Sequence, residues 1–186
     1  MKILYLAGQF YPDLAGSSVT NTLIVSELTK IGHDVTVVAG KKNTMCGLSK
    51  EKKIFPFHLK RVKNYIEFAK GNAGFVEPTR AIYDLITKNQ YDIVHATSFM
   101  SMLILSLMRQ TLRQPIVFSF WSTPIIGQRA LGLYHEPVLD LELARNIISF
   151  RAFDKIVLGS EHYRKAAISL GAKEKDIKNN LFRNKY

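Results

Sequence analysis

The chain has 186 residues, with 26 lysines and arginines against 15 acidic residues and a formal net charge of +11. At 47% apolar and 22% charged it is too hydrophobic for disorder, and it is long enough to bury a sizeable core, most simply as one domain. The single cysteine, Cys46, excludes an intramolecular disulfide framework and reads as an inert thiol in a reducing compartment.

Short apolar runs alternate with longer amphipathic ones, the pattern of βα units and a parallel sheet. Ile3–Leu6 reads as the first strand. Although Met1–Gly8 has the look of a signal peptide, its apolar part breaks at Gly8–Gln9, too early for a secretory core, so the expected location is the cytoplasm. Val19–Ile31 has helical spacing and stops at Gly32; Val35–Ala39 is a second buried strand closed by Gly40. His58–Val62 is a third strand and Thr79–Asn89 a helix. Ile93–Ala96 is the next strand, followed by a helix from Ser98 to Leu112. Within it, the most apolar run, Phe99–Met108, is well short of the ~20 residues that cross a bilayer. Pro115 introduces the strand Ile116–Phe120. A long loop leads to a helix over 137–150, then to the strand Lys155–Leu158 and a last helix capped by Ser160 and stopped at Gly171. The expected fold is a doubly wound, Rossmann-like α/β domain with ligands beyond the carboxyl ends of the strands.

The first β–α loop, from Gly8 to Ser18, carries the clearest chemistry. Gly16, Ser17 and Ser18 open a helix, where backbone N–H groups and the helix dipole favour an anion such as phosphate. The same residues also fit an ordinary serine cap. Neither a P-loop nor a G-x-G-x-x-G fingerprint is present.

Four segments in order resemble the amino-terminal domain of GT-B glycosyltransferases of the family 4 type. Phe10-Tyr11-Pro12-Asp13-Leu14-Ala15-Gly16, followed by Gly32-His33-Asp34-Val35-Thr36-Val37, is similar to the family's glycine loop and the strand after it. Tyr91–Ala96 resembles its Asp-x-x-His strand, Gln114–Ser119 its Pro-x-x-x-Thr strand, and Ala152–Ser160 its late Ala-Asp segment. The resemblance implies a metal-independent, usually retaining nucleotide-sugar transferase built from two Rossmann-like domains, with no cofactor beyond the donor substrate. It implies that residues 1–186 form the acceptor-side half, inactive without a carboxyl-terminal donor-binding half, which could be a separate partner chain. Gly16, Ser17 and Ser18 would then meet the donor phosphate, and Tyr11, Asp13, His95 and Trp121 would line the acceptor side. The acceptor class implied is a glycan or a lipid-linked sugar. Three departures stand out: Ala15 replaces the first glycine of the family's pair, Trp121 falls where a histidine is common, and Asn179–Asn184 replaces an Asn-Gly-Val-Asp turn. Trp121 cannot act as a base, although its ring could stack on a sugar.

Among the histidines, His33 fits a structural turn, His95 divides between core and site, His135 fits a solvated loop and His162 a surface helix. No two have metal-ligand spacing. Lysines concentrate at Lys41–Lys63 and again from Lys173 to the end. A charge of +11 points to an anionic partner. An inner-leaflet membrane surface is the leading candidate, which makes the chain peripheral there; nucleic acid is not expected, since no binding motif accompanies the charge. A second reading is therefore a non-catalytic basic module that binds such a surface or a partner protein.

Overall fold

The computed structural model describes residues 1–13, 15–40, 55–63, 65, 76–121, 150–169 and 171–179. Cys46, His135, the whole lysine-rich stretch 41–54 and all but the last position of the helix expected over 137–150 lie outside the described residues. The chain divides into two compact units, Met1–Ile104 and Leu105–Tyr186.

The first unit holds β1 (Lys2–Leu6), α1 (Gly16–Lys30), β2 (Asp34–Gly40), β3 (His58–Val62), α2 (Val76–Lys88) and β4 (Ile93–Ala96). Helix α3 (Phe99–Met108) begins here and crosses into the second unit. All four strands are parallel, in the order β3-β2-β1-β4. The chain steps outward from β1 to β3 and then returns to the other side of β1. That reversal defines a doubly wound sheet and opens a crevice at the carboxyl ends of β1 and β4. Successive residues of β1 point to opposite faces, yet Ile3, Leu4, Tyr5 and Leu6 are all buried, as a parallel sheet covered on both faces requires. On the Tyr5 face, Val25 of α1, Val35, Val37 and Phe57 join one core with Phe10 from the first loop.

The second unit holds β5 (Ile116–Phe120), β6 (Lys155–Leu158), α4 (His162–Ser169) and β7 (Ile177–Asn179), with parallel strands in the order β5-β6-β7. Its core is aromatic: Phe118 stacks on Phe153 at 4.9 Å and meets Phe150 edge-on at 5.8 Å.

One device recurs in both units. Asp92, just before β4, accepts a hydrogen bond from the Lys2 amide at 2.7 Å while its own amide donates to the Lys2 carbonyl. Asp154, just before β6, does the same with the amide and carbonyl of Ile116, at 2.8 and 2.9 Å. A carboxylate at each of these positions fastens a strand to its neighbour at the amino edge. Both aspartates belong to motifs that the sequence singled out, and both are used structurally.

The strands over His58–Val62, Ile93–Ala96, Ile116–Phe120 and Lys155–Leu158 stand where the sequence predicts them. Helix α1 starts three residues earlier than its apolar spacing suggests, because extended Ala15 (φ −66°, ψ 148°) hands over directly to Gly16-Ser17-Ser18 as a polar first turn. Helix α3 ends at Met108 and tightens into a 3₁₀ turn over Arg109–Thr111. Helix α4 ends at Ser169, ahead of Gly171, whose φ of 94° suits glycine. Strand β7 is additional: Ile177-Lys178-Asn179 carries one buried apolar residue and no alternation to read. Among the described residues no helix is long and apolar enough to cross a membrane, and no group of three or more His, Cys, Asp or Glu could hold a metal ion.

Candidate functional site

The switch point of the first unit is framed by the two turns that leave β1 and β4. Gly8 lies so close to Ser98 that a Cβ on it would stand 2.9 Å from the Ser98 Cβ; a glycine is needed there for close approach. Ser98 in turn caps α3, its Oγ accepting from the Ser101 amide at 3.2 Å.

From Gly8 the chain runs through Phe10 to the start of α1, and several polar groups along the way are hydrogen-bonded. The Gly40 amide donates to the Gly8 carbonyl. Asn21, buried in α1, donates through Nδ2 to the Gln9 carbonyl at 3.0 Å and accepts through Oδ1 from the Tyr5 hydroxyl at 3.0 Å. The Gln9 side chain accepts from the Ser17 hydroxyl at 2.7 Å. The Tyr11 amide faces Thr22 Oγ1 at 3.4 Å, while the Tyr11 carbonyl accepts from the Arg61 guanidinium, which also reaches the Gly40 carbonyl at 3.1 Å. Below the loop, fully buried Phe10 packs edge-on against Phe57 at 5.8 Å, and Tyr11 against Phe55 at 5.4 Å.

This frame presents the amino end of a 15-residue helix. Ala15 supplies no side-chain cap, and no acidic residue sits in the first turn. A helix start leaves its first backbone N–H groups without intrahelical acceptors and carries a partial positive charge. Ala15, Gly16 and Ser17 are exposed, and nothing lies within 4 Å of the Cβ position of Gly16. The arrangement can receive a phosphate-sized anion.

The sequence-predicted residues do not all meet there. Gly16 and Ser17 form the open turn, with the Ser17 proton already given to Gln9. Ser18 faces inward with Asn21 and Val25, fully buried, and its Oγ has no hydrogen-bond partner among the described residues. Tyr11 is exposed on the loop, whereas Asp13 is buried, its amide donating to the Phe10 carbonyl at 3.1 Å. His95 lies on β4 in register with Tyr5, the two rings edge-on at 4.8 Å. Burial lowers its pKa to about 4, so the imidazole is neutral at pH 7. Trp121 belongs to the second unit, just past β5, and its buried indole N–H has no hydrogen-bond partner among the described residues. His33 lies beside the N-terminal amine, with 3.5 Å between Nδ1 and the nitrogen.

Sequence reasoning missed Gln9, Asn21 and Arg61. Asn21 carried one readable signal, a polar residue in the stripe that also holds Ser18 and Val25. Arg61 carried none, since its partner Tyr11 is 50 positions away.

A doubly wound parallel sheet with an anion-receptive loop at its switch point is the architecture of the nucleotide- and phosphate-handling α/β domains. The family model for Glycosyltransferase Family 4 matches residues 14–178, and the chain belongs to that family. The solved structures it resembles have the GT-B fold. Sucrose-phosphate synthase from Thermosynechococcus elongatus superposes with a TM-score of 0.71 at 11% identity, over 96% of this chain and 47% of that one. Anabaena HepE in complex with UDP and glucose gives 0.61 at 14% identity, over 96% and 43%. An alpha-glucosyltransferase in complex with UDP and a 13-mer DNA gives 0.55 at 14% identity, over 96% and 41%. The chain thus spans less than half the length of these enzymes. No curated protein sequence matches it.

Proposed function

We propose that the chain is the acceptor-side half of a retaining nucleotide-sugar glycosyltransferase that acts in glycan, polysaccharide or glycolipid synthesis. The observation that carries this reading is the uncapped start of α1 at the switch point, held by a hydrogen-bonded frame and open at Gly16. The Gly16 and Ser17 backbone receives the donor diphosphate, whose charge the helix dipole stabilises without a metal. HepE, whose complex contains UDP and glucose, supports a nucleotide-sugar as that donor. Tyr11, exposed on the same loop, offers an aromatic face and a hydroxyl to the acceptor. Asp13 holds the loop's turn from beneath, and neutral His95 supplies hydrogen-bonding nitrogens rather than a charge. Trp121 is the aromatic sugar contact of the second unit. Sugar transfer itself needs donor-binding groups from a further half, because catalysis requires stabilisation of the transition state from both sides of the reacting bond.

Calorimetric titration of the 186-residue chain with UDP, inorganic pyrophosphate and uridine tests the reading. UDP and pyrophosphate bind, uridine does not, and Gly16→Val lowers UDP affinity at least tenfold. That substitution fills open space and leaves the melting temperature unchanged. Equal binding of UDP by Gly16→Val, or steady sugar transfer by the isolated chain, would overturn it.

A further inference from the structure

Beneath the α1 opening runs a chain of hydrogen bonds whose direction is fixed by the groups that form it. The Gln9 carbonyl can only accept, so Asn21 turns Nδ2 toward it and Oδ1 toward Tyr5, each at 3.0 Å. The Tyr5 hydroxyl must therefore donate. Burial pushes its pKa above the ordinary phenol value, so it keeps the proton that this bond needs. Tyr5 and Asn21 are both buried, one on β1 and the other in α1.

This chain ends at Gln9, which is held through its backbone and partly exposed. There its Oε1 accepts from the Ser17 hydroxyl at 2.7 Å. That bond uses the one hydroxyl proton of Ser17, so its Oγ meets a ligand with lone pairs alone. At the other end of the Gln9 carboxamide, Nε2 carries two N–H groups with no acceptor among the described residues. A donor and an acceptor thus stand one hydrogen bond apart, beside exposed Gly16. Such a pair discriminates between ligand groups. A phosphate oxygen accepts from Nε2 but brings no proton to Ser17 Oγ, whereas a hydroxyl accepts from the one and donates to the other.

We propose that Gln9 and the Ser17 side chain read a hydroxyl carried next to the ligand's phosphate, and that Tyr5 positions Gln9 through Asn21. The ligand class is a sugar esterified to phosphate rather than bare phosphate. The inference rests on the phosphate reading of the α1 start and extends it from the anion to the group attached to it. Ser17 then has two roles, its backbone N–H toward the anion and its Oγ toward the sugar. Tyr5 touches no ligand. Without its proton, the Asn21 carboxamide is free to turn over, and Gln9 loses its fixed place.

NMR titration of the 186-residue chain with glucosyl phosphate and with ethyl phosphate tests the proposal. At about pH 8 both esters are dianions, and only the first carries hydroxyls. Wild type binds the sugar ester about tenfold more tightly, the worth of one or two hydrogen bonds. Gln9→Met keeps the side-chain length without the amide; it abolishes the preference and changes ethyl phosphate affinity less than about twofold. Tyr5→Phe lowers the preference severalfold. That ratio is insensitive to a general loss of stability, which weakens both ligands alike. Circular dichroism confirms that each variant is folded. Equal affinity of wild type for the two esters, or a preference that survives Gln9→Met, would overturn the hydroxyl assignment. An unchanged ratio in Tyr5→Phe would overturn its positioning role. Binding of neither ester by wild type would overturn the phosphate reading, and this inference with it.

Discussion

The two units share a construction and differ in what they expose. Each fastens its sheet at the amino edge with an aspartate that grips the neighbouring strand's backbone, Asp92 on Lys2 and Asp154 on Ile116. Beyond that, the first unit invests its polar side chains at the carboxyl edge, where Asn21, Gln9 and Arg61 hold one loop in place. In the second, Arg113, Arg151, Lys173 and Lys175, exposed and without an ion pair among the described residues, stand ahead of the three strands. A repeated architecture thus presents a helix start without a side-chain cap in one unit and exposed basic residues ahead of the strands in the other. The family motif aspartates serve the shared frame and not the differing surfaces.

The largest test of this contrast is a change of pH. The His95 imidazole is held near pKa 4 by burial against an unfolded value of 6.5. The unfolded chain therefore takes up a proton that the folded chain refuses, and stability present above pH 6.5 is lost as pH falls toward about 4. The loss is on the order of 3 kcal/mol at 1.36 kcal/mol per pKa unit. Urea unfolding between those limits should show the slope, and His95→Phe, which keeps a ring against Tyr5, should flatten it.

The next effect is at the loop frame. Asn21→Ala leaves the Tyr5 hydroxyl and the Gln9 carbonyl without their buried partner. It should cost about 2 kcal/mol in denaturant unfolding and weaken UDP binding along with stability. A variant that loses stability but binds UDP like wild type would separate the frame from the site.

The smallest effect compares the two fasteners. Asp154 carries Arg109 as well as the Ile116 amide, whereas the Asp92 carboxylate holds the Lys2 amide. Because Asp154 and Arg109 are partly exposed, the ion pair adds less than about 1 kcal/mol. Asp154→Ala should therefore be slightly more destabilising than Asp92→Ala, and the difference should shrink in high salt.

Much of this molecule was legible from local pattern. Four strands fall on the predicted residues because runs such as Ile93-Val94-His95-Ala96 are buried between flanking turns. The loop ending in Gly16 announced itself through a glycine and two serines before a helical repeat. What could not be read was the support. Arg61 looked like one member of a basic cluster, yet its guanidinium holds the Tyr11 carbonyl across 50 positions. Ser18 looked like a donor to the ligand, but the helix turns it into the core beside Asn21. Strand β7 escaped because three residues, one of them apolar, make too short a period.

The central claim is that phosphate binds at the start of α1, where no side chain caps the helix. Titration of the isotope-labelled chain with pyrophosphate at physiological salt, followed by amide NMR, tests it most directly. The account predicts shifts concentrated at Gly16, Ser17 and the Gly8–Asp13 loop, with Arg113, Arg151, Lys173 and Lys175 unmoved. Saturable shifts at those four residues, with Gly16 and Ser17 unmoved, would contradict it.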